Sequence, residues 1–294
     1  MAAEPQTEGP LPFDRIRELP TVPEVYSRVV AVIDNPRSSV WEVEKIVRQD
    51  PAITAKILRL VNSPLYGLRS PASTVAQAVR TIGYDALKQI VLTSSVISLF
   101  RPDKNPLLSP KAYWGHCLGT AAAARQLALC LGEEHPEEFF VAGLLHDIGK
   151  LVHNQYLPEK FHAVLTRAAS ERLTVADAER ALLGFSHDQT GGLLVQRWGL
   201  APAIQRAVAY HHAPAVEDCL PPTLHEHVVH CADIISAALG LGASGSHRLP
   251  PFMSLSWDVL RLSPGHLAEV VAATRREFSQ LMDALFEGND SRPS

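Results

Sequence analysis

Cysteine is scarce in this chain: four thiols, at 117, 130, 219 and 231, among 294 residues, with no Cys-x-x-Cys pair. A protein of this length needs no disulfide staples, so the pattern suits reduced thiols in the cytoplasm. Long runs of one charge are also missing, and the net charge is −4. Nonspecific binding to nucleic acid or to a membrane surface therefore has no electrostatic support. No apolar run is long enough to cross a bilayer. The strongest, around Val91–Phe100, is both too short and too polar. The acidic, proline-containing N-terminus lacks the apolar segment of a secretory signal. Alternating β-branched runs are few, which argues against a substantial sheet. No exact short-period repeat occurs.

What is there is helical signal almost throughout. The composition, 46% hydrophobic and 20% charged, is ordinary for a globular chain. At this length one large domain or two smaller ones are expected. Residues 1–12 hold Pro5, Gly9, Pro10 and Pro12 among polar residues and read as a flexible tail. Pro23 opens a helix with Val25, Val29, Val32 and Ile33 on one stripe. Ser38 or Ser39 caps the next. Asp50-Pro51 joins an N-cap to a first-turn proline, ahead of Ile53, Ile57, Leu58 and Val61. Asn62-Ser63-Pro64 ends that helix, because the residue before proline disfavours the helical region. A helix from Thr74 breaks at Gly83 and restarts at Asp85. Tyr66 and Tyr84 read as packing residues rather than ligand platforms.

Arg101-Pro102-Asp103-Lys104-Asn105-Pro106 sets two prolines among charges and is the best linker in the chain. After it, helices are expected over 111–131, from Pro136 to His146-Asp147, from Pro158 to Glu171 and from Val175 to Leu183. Others start at His187, Pro202 and Leu224. Residues 240–251 form a Gly/Ser/Pro-rich loop, and one or two final helices fill 256–287. The expected architecture is an all-α, two-lobed helical bundle. Its N-terminal lobe spans 13–105, its C-terminal lobe 106–287, and a polar tail 288–294.

One stretch organises the rest: Phe139-Phe140-Val141-Ala142-Gly143-Leu144-Leu145-His146-Asp147-Ile148-Gly149-Lys150-Leu151. An imidazole and a carboxylate arrive side by side inside what should be core. A lone buried charge is costly, and a divalent metal would resolve that cost, since His and Asp both ligate one. Neighbours on a helix point about 100° apart, so both reach one centre only at a bend. Gly149 is expected to allow the break. The bland reading is a hydrogen-bonded polar pair in a helical core.

His116, His146, Asp147, His187, His211, His212 and Asp233 each lie on or at the end of an apolar helix. In a helical bundle, metal sites are built from side chains on facing helices. Two cations sharing a bridging carboxylate need about this many ligands, and would activate a water and hold phosphate oxygens. The ligand types do not separate iron, manganese, magnesium, nickel and zinc. Lys150 is placed to meet a phosphate as a point charge. Taken singly, His187 or Asp233 reads as an ordinary polar residue. His225, His227 and His230 form a local cluster that competes weakly as a zinc site. The remaining histidines, His153 among them, read as surface or structural.

Leu144-Leu145-His146-Asp147-Ile148-Gly149-Lys150 resembles the signature of the HD metal-dependent phosphohydrolase superfamily. The order of the other ligands resembles its HD-GYP cyclic-di-GMP phosphodiesterase branch. Several further segments look like the narrower HDOD domain. They are Glu18-Leu19-Pro20-Thr21-Val22-Pro23, Gln49 to Leu58, Val61-Asn62-Ser63-Pro64-Leu65-Tyr66-Gly67, Ala78 to Gly83, Trp198-Gly199-Leu200-Ala201-Pro202 and His211-His212-Ala213-Pro214. The resemblance covers residues 13–285. It implies a cytoplasmic, bacterial regulatory module of signal transduction that holds a divalent metal, in a centre of one or two ions. Its partner would be a signalling protein or a nucleotide second messenger; the charge pattern gives no membrane partner and no strong evidence for nucleic acid. Ala213-Pro214-Ala215-Val216 follows the double His and the Gly-Tyr-Pro of the HD-GYP branch does not appear, so efficient cyclic-di-GMP hydrolysis is not implied. The alternative is a metal-dependent phosphohydrolase or phosphodiesterase acting on cyclic or linear nucleotides. Asp147 would then bridge the metals and Lys150 would contact the scissile phosphate.

Overall fold

The computed structural model describes residues 19–99, 105–214 and 223–286. The expected tails, residues 101–104 of the linker, Pro221-Pro222 and Cys219 lie outside the described residues. Every regular element among the described residues is helical.

The first lobe comprises α1 (Glu24–Ile33), α2 (Val40–Val47), α3 (Pro51–Val61) and α4 (Val75–Leu99). Asp50 accepts the backbone N–H groups of Ala52 and Ile53 at 2.9 and 3.0 Å, and Pro51 fills a first-turn position where no N–H is needed. Losing such a cap typically costs about 1 kcal/mol. Ser39 and Glu42 form a capping box on α2. Glu44 is buried and accepts the Ala76 N–H at 2.9 Å, so α2 helps cap the start of α4. Within α4, Gly83 sits at φ 81° and ψ 175°, where a side chain would be strained, and the helix kinks there. Asn62 clasps the following loop: its amide donates to the Ala72 carbonyl at 2.9 Å and accepts the Ala72 N–H at 2.7 Å. Asn62 thus has a structural task at the end of α3. Tyr66, in a short 3-10 turn (Pro64–Tyr66), packs on the main core as expected. Tyr84 does not: it is 38% exposed, because the kink at Gly83 turns it outward from the core face.

The second lobe comprises α5 (Pro110–Leu131), α6 (Pro136–Leu145), α7 (Ile148–Tyr156), α8 (Pro158–Glu171), α9 (Val175–Leu183), α10 (His187–Arg197), α11 (Pro202–Tyr210), α12 (Leu224–Ala238), α13 (Ser254–Leu260) and α14 (Pro264–Phe286). Helix α5 is the axis: α6, α12 and α14 all pack on it, while α10 packs on α7 and α11. Helix α14 also reaches α3 and the Pro64–Tyr66 turn, and α4 packs on α6. One hydrophobic core accordingly runs through both lobes, from Val29 and Ile57 to Leu144 and Val208. A smaller cluster around Leu127, Phe139, Val228 and Val270 lies within the second lobe. Helix α7 has no counterpart in the sequence expectations, since Gly149 and the polar run His153-Asn154-Gln155 hide its period.

Candidate metal centre

The centre forms at helix ends. His146 is the C-cap of α6 and Asp147 the N-cap of α7, with φ −96° and ψ 5° at Asp147 making the bend. The Tyr113 hydroxyl, from α5, donates to the Asp147 carbonyl at 3.0 Å and holds that bend. His187 opens α10, His211 follows α11, and His116 and Asp233 project from α5 and α12. Gly149 has a different task from the one expected. Its φ is not positive, so it does not break the helix. A Cβ there would stand 2.0 Å from the His187 carbonyl oxygen and 2.9 Å from the Gly191 nitrogen. Glycine at 149 is what lets α7 touch α10 and brings His187 to Asp147.

The seven predicted residues form one cluster: His116, His146, His187 and His211 approach the Asp147 carboxylate, Asp233 joins through His116 and His146, and His212 through His187. Oδ1 lies 3.0 Å from His187 Nε2 and 3.8 Å from His211 Nε2. Oδ2 lies 3.4 Å from His146 Nε2 and 3.7 Å from His116 Nε2. Asp233 Oδ1 approaches His116 Nε2 at 3.0 Å and His146 Nε2 at 3.8 Å. His212 Nε2 lies 2.9 Å from His187 Nε2. Lys150, buried, donates to Asp147 Oδ2 at 2.7 Å and to Ser244 Oγ at 3.1 Å.

The ring nitrogens show what the site suits. His146 Nδ1 donates to the Gly143 carbonyl at 2.7 Å, and His211 Nδ1 to the Val208 carbonyl at 2.8 Å. His187 Nδ1 is held by Glu179 Oε2 at 2.6 Å. With Nδ1 pinned as donor, the Nε2 atoms of His146 and His211 keep their lone pairs for the centre, and His187 would offer its own on giving up a proton to an incoming metal. The Nε2 atoms of His116, His146 and His211 are buried and make no hydrogen bond among the described residues. Buried polar atoms without partners are rare, and three aimed at one spot, of which His116 has the closest carboxylate beside it, Asp233 at 3.0 Å, fit a metal ion. Two groups, His116 with His146 and Asp147, and His187 with His211 and His212, each hold their donor atoms within 4.8 Å of one another.

The electrostatics agree. Burial pushes the His146 imidazole down to about 3, against the opposing pull of Asp147 and Asp233. Burial also lowers His211 and His212, so all three stay neutral, the form that ligates. Burial works to raise the Asp147 carboxyl, but His146, Lys150 and His187 together hold it well below its usual range. His187 goes the other way: burial opposes its charge, but Glu179 lifts it to about 9.

Sequence reasoning missed Glu179. It is fully buried in α9, accepts the His187 backbone N–H at 2.8 Å as well as its ring, and takes His153 Nδ1 at 2.8 Å on its other oxygen. His153 in turn meets Thr190 Oγ1 at 2.7 Å. The available signal was position: Glu179 stands four residues after buried Val175, on the inward face of α9. The α12 histidines do not form a rival site. His225 stacks on Phe139, His227 Nδ1 meets Ser256 Oγ at 3.0 Å, and His230 Nδ1 donates to the His211 carbonyl at 2.7 Å.

The profile of the HDOD domain matches residues 19–214. The chain belongs to the HDOD domain family. The match stops before α12, which carries Asp233. A crystal structure of an HDOD domain protein with unknown function from Geobacter sulfurreducens superposes with a TM-score of 0.78 at 31% identity, covering 94% of this chain and 97% of that one. A Shewanella amazonensis protein named as a candidate phosphohydrolase gives 0.74 at 25% identity, covering 93% and 97%. Another from the same organism, named as a candidate metal-dependent phosphohydrolase, gives 0.63 at 26%, covering 91% and 92%. An uncharacterized protein of Treponema pallidum is 23% identical over 200 residues, and this HDOD chain spans 38% of its length. No helix among the described residues is long and apolar enough to cross a membrane.

Proposed function

We propose that this HDOD chain is a regulatory signal-transduction module that holds divalent metal around Asp147 and acts through a partner without efficient turnover. The observation that carries the metal is the division of Asp147, one oxygen toward His187 and His211, the other toward His116 and His146. That division supports two ions sharing one carboxylate, with Asp233 on the His116 side and His212 on the His187 side. Bound there, such a pair supplies Lewis-acid contacts to phosphate oxygens and lowers the pKa of water.

The regulatory half rests on family membership and on the lack of a Gly-Tyr-Pro segment after His211-His212. The packing of α4 on α6 gives it a physical route, since α6 ends at His146. A cavity of about 610 Å³ between the lobes, lined by Tyr26, Lys88, Glu138 and Trp198 among others, offers a surface on the same helix. Asp34, Asp85, Glu134 and Glu137 also line it, so this groove suits a protein partner better than an anionic nucleotide. The phosphohydrolase reading is favoured by Lys150, whose amine lies against Asp147 and lines a second cavity that His116, His212 and Asp233 share.

Elemental analysis of protein purified without chelator, joined to a hydrolysis panel of nucleotides and cyclic dinucleotides, decides between them. The expected result is metal in the wild type, loss in His146→Ala, and hydrolysis far below the usual enzymatic range of about 1–10³ s⁻¹. Turnover within that range, abolished in the variant, would replace the regulatory reading with the enzymatic one. A metal-free wild type would sink both.

A further inference from the structure

The cavity beside the metal centre has a wall that the ligand set does not explain. It measures about 280 Å³ and is lined on one side by His116, Lys150, His212 and Asp233. The other side is the α12–α13 loop, which contributes Ser244, His247 and Arg248. This loop is tied down at several points. The Ala243 N–H donates to the Ala112 carbonyl at 2.8 Å, and Ser246 Oγ accepts the Val175 N–H at 3.2 Å. Gly242, at φ 80°, lies so close to α5 that a Cβ would come 2.3 Å from the His116 backbone nitrogen. The loop is thus seated on the turn of α5 that presents His116.

Its charge runs against that of the chain. The whole protein carries −4, yet this lining holds two basic side chains, Lys150 and Arg248, and a single carboxylate, Asp233. Asp233 itself faces His116 at 3.0 Å. Lys150 has three N–H donors, and two are used, on Asp147 and Ser244. The third remains for a ligand in the cavity. Arg248 is exposed at the mouth and makes no ion pair among the described residues, so its guanidinium fork is available. The volume lies just below the range of about 300–1,000 Å³ usual for ligand cavities. A cavity of this volume, open at its mouth, matches a small anion better than a cyclic dinucleotide.

We infer that the α12–α13 loop completes an anion site for a small ligand bearing two adjacent anionic groups, one a phosphoryl group held by Lys150 and the other held by Arg248. This rests on the metal-centre reading for its near end and adds the loop as the far end. Lys150 is a point charge that takes either a mono- or a diphosphate, whereas Arg248 selects for the second group.

The test is titration calorimetry with inorganic phosphate and inorganic pyrophosphate, in wild type, Arg248→Ala and Arg248→Lys. It is run once with excess Mg²⁺ and once with EDTA. Arg248 is exposed, so both variants keep the fold. Pyrophosphate is expected to bind wild type at least tenfold more tightly than phosphate. Arg248→Ala should abolish that preference while leaving phosphate binding within twofold, and Arg248→Lys should restore part of it. A preference seen only with Mg²⁺ supports this site and the metal centre together. A preference that survives EDTA in protein shown to bind no metal keeps the anion site and removes the metal centre. Equal pyrophosphate affinity in wild type and Arg248→Ala, or no binding of either anion in both conditions, overturns the inference even if the metal content is as proposed.

Discussion

Five histidines on α5, the α6–α7 bend, α10 and the end of α11 bring Nε2 atoms to one spot around Asp147, whereas three histidines on one stretch of α12 go to three separate places. The two groups have the same chemistry but different geometry. His225 and His227, two apart on one helix, diverge by about 200°, and His227 and His230, three apart on the same face, are drawn to different partners, Ser256 and the His211 carbonyl. Each therefore finds a different neighbour. The centre's ligands come from facing elements and mostly from helix ends, where the backbone turns the side chain inward. His230 still serves the centre indirectly, since it fixes the carbonyl of His211. Convergence is a property of facing helices, not of closeness along the chain.

The comparison can be broken most directly at Asp147. Asp147→Asn should remove all bound metal, because both proposed ions share its carboxylate, and elemental analysis checks it. Metal retained at the wild-type level would show that Asp147 is not the bridge. Gly149→Ala should be nearly as damaging for a packing reason. The new methyl meets the His187 carbonyl at 2.0 Å, and overpacking of this kind costs about 1–3 kcal/mol or more. Urea unfolding measures it, and an unchanged midpoint would mean that α7 and α10 separate without cost.

Glu179→Gln sharpens the comparison, since it leaves every ligand in place and weakens only the hold on His187. A 10–100-fold loss of metal affinity is expected, as for other groups that orient ligating histidines, with the midpoint of unfolding lowered as well. Affinity equal to wild type would reduce Glu179 to a core residue. His227→Ala, on the divergent side, should cost only about 1 kcal/mol and leave metal content unchanged. Loss of metal there would mean that the α12 group takes part after all.

In metal-free protein, pH should act through the same rings. His146 is held down to about 3 by burial, while an unfolded histidine titrates near 6.5. Between those values the unfolded chain binds the extra proton, so stability falls as pH drops below 6.5, by up to about 1.4 kcal/mol per pH unit for each such ring. His211 and His212 act in the same direction, and Glu179, also depressed, adds a loss below its usual range. His187, raised to about 9, does the reverse: its contribution is full below 6.5 and fades as pH climbs toward 9. Unfolding midpoints measured from pH 4 to 9 should therefore fall on both sides of neutrality, more steeply on the acid side. A flat acid limb would remove the buried neutral histidines.

Much of the fold was legible because its signals are local. Asp50-Pro51, Ser39 with Glu42, Pro136, Pro158 and Ser263-Pro264 each mark a helix start through their own backbone chemistry. Helix α7 was not legible, since its inward face is built from Lys150, His153 and Asn154 as well as apolar residues. All seven ligand candidates were named from residue type and helix position, and all seven meet. Glu179 and Arg248 were not named, because a lone Glu in a charged helix and a lone Arg in a Gly/Ser loop look like solvated surface.

By itself the sequence determined an all-helical chain, the places where its helices begin, and the pool of imidazoles and carboxylates able to ligate. These follow from propensity, capping and apolar period, which act over a few residues. Only the tertiary structure decided which nitrogen of each ring is pinned, that Gly149 serves a close approach of α7 to α10 rather than a bend, and that the α12–α13 loop closes over Lys150. Those depend on distances between segments tens of residues apart, and packing sets such distances where local preference cannot.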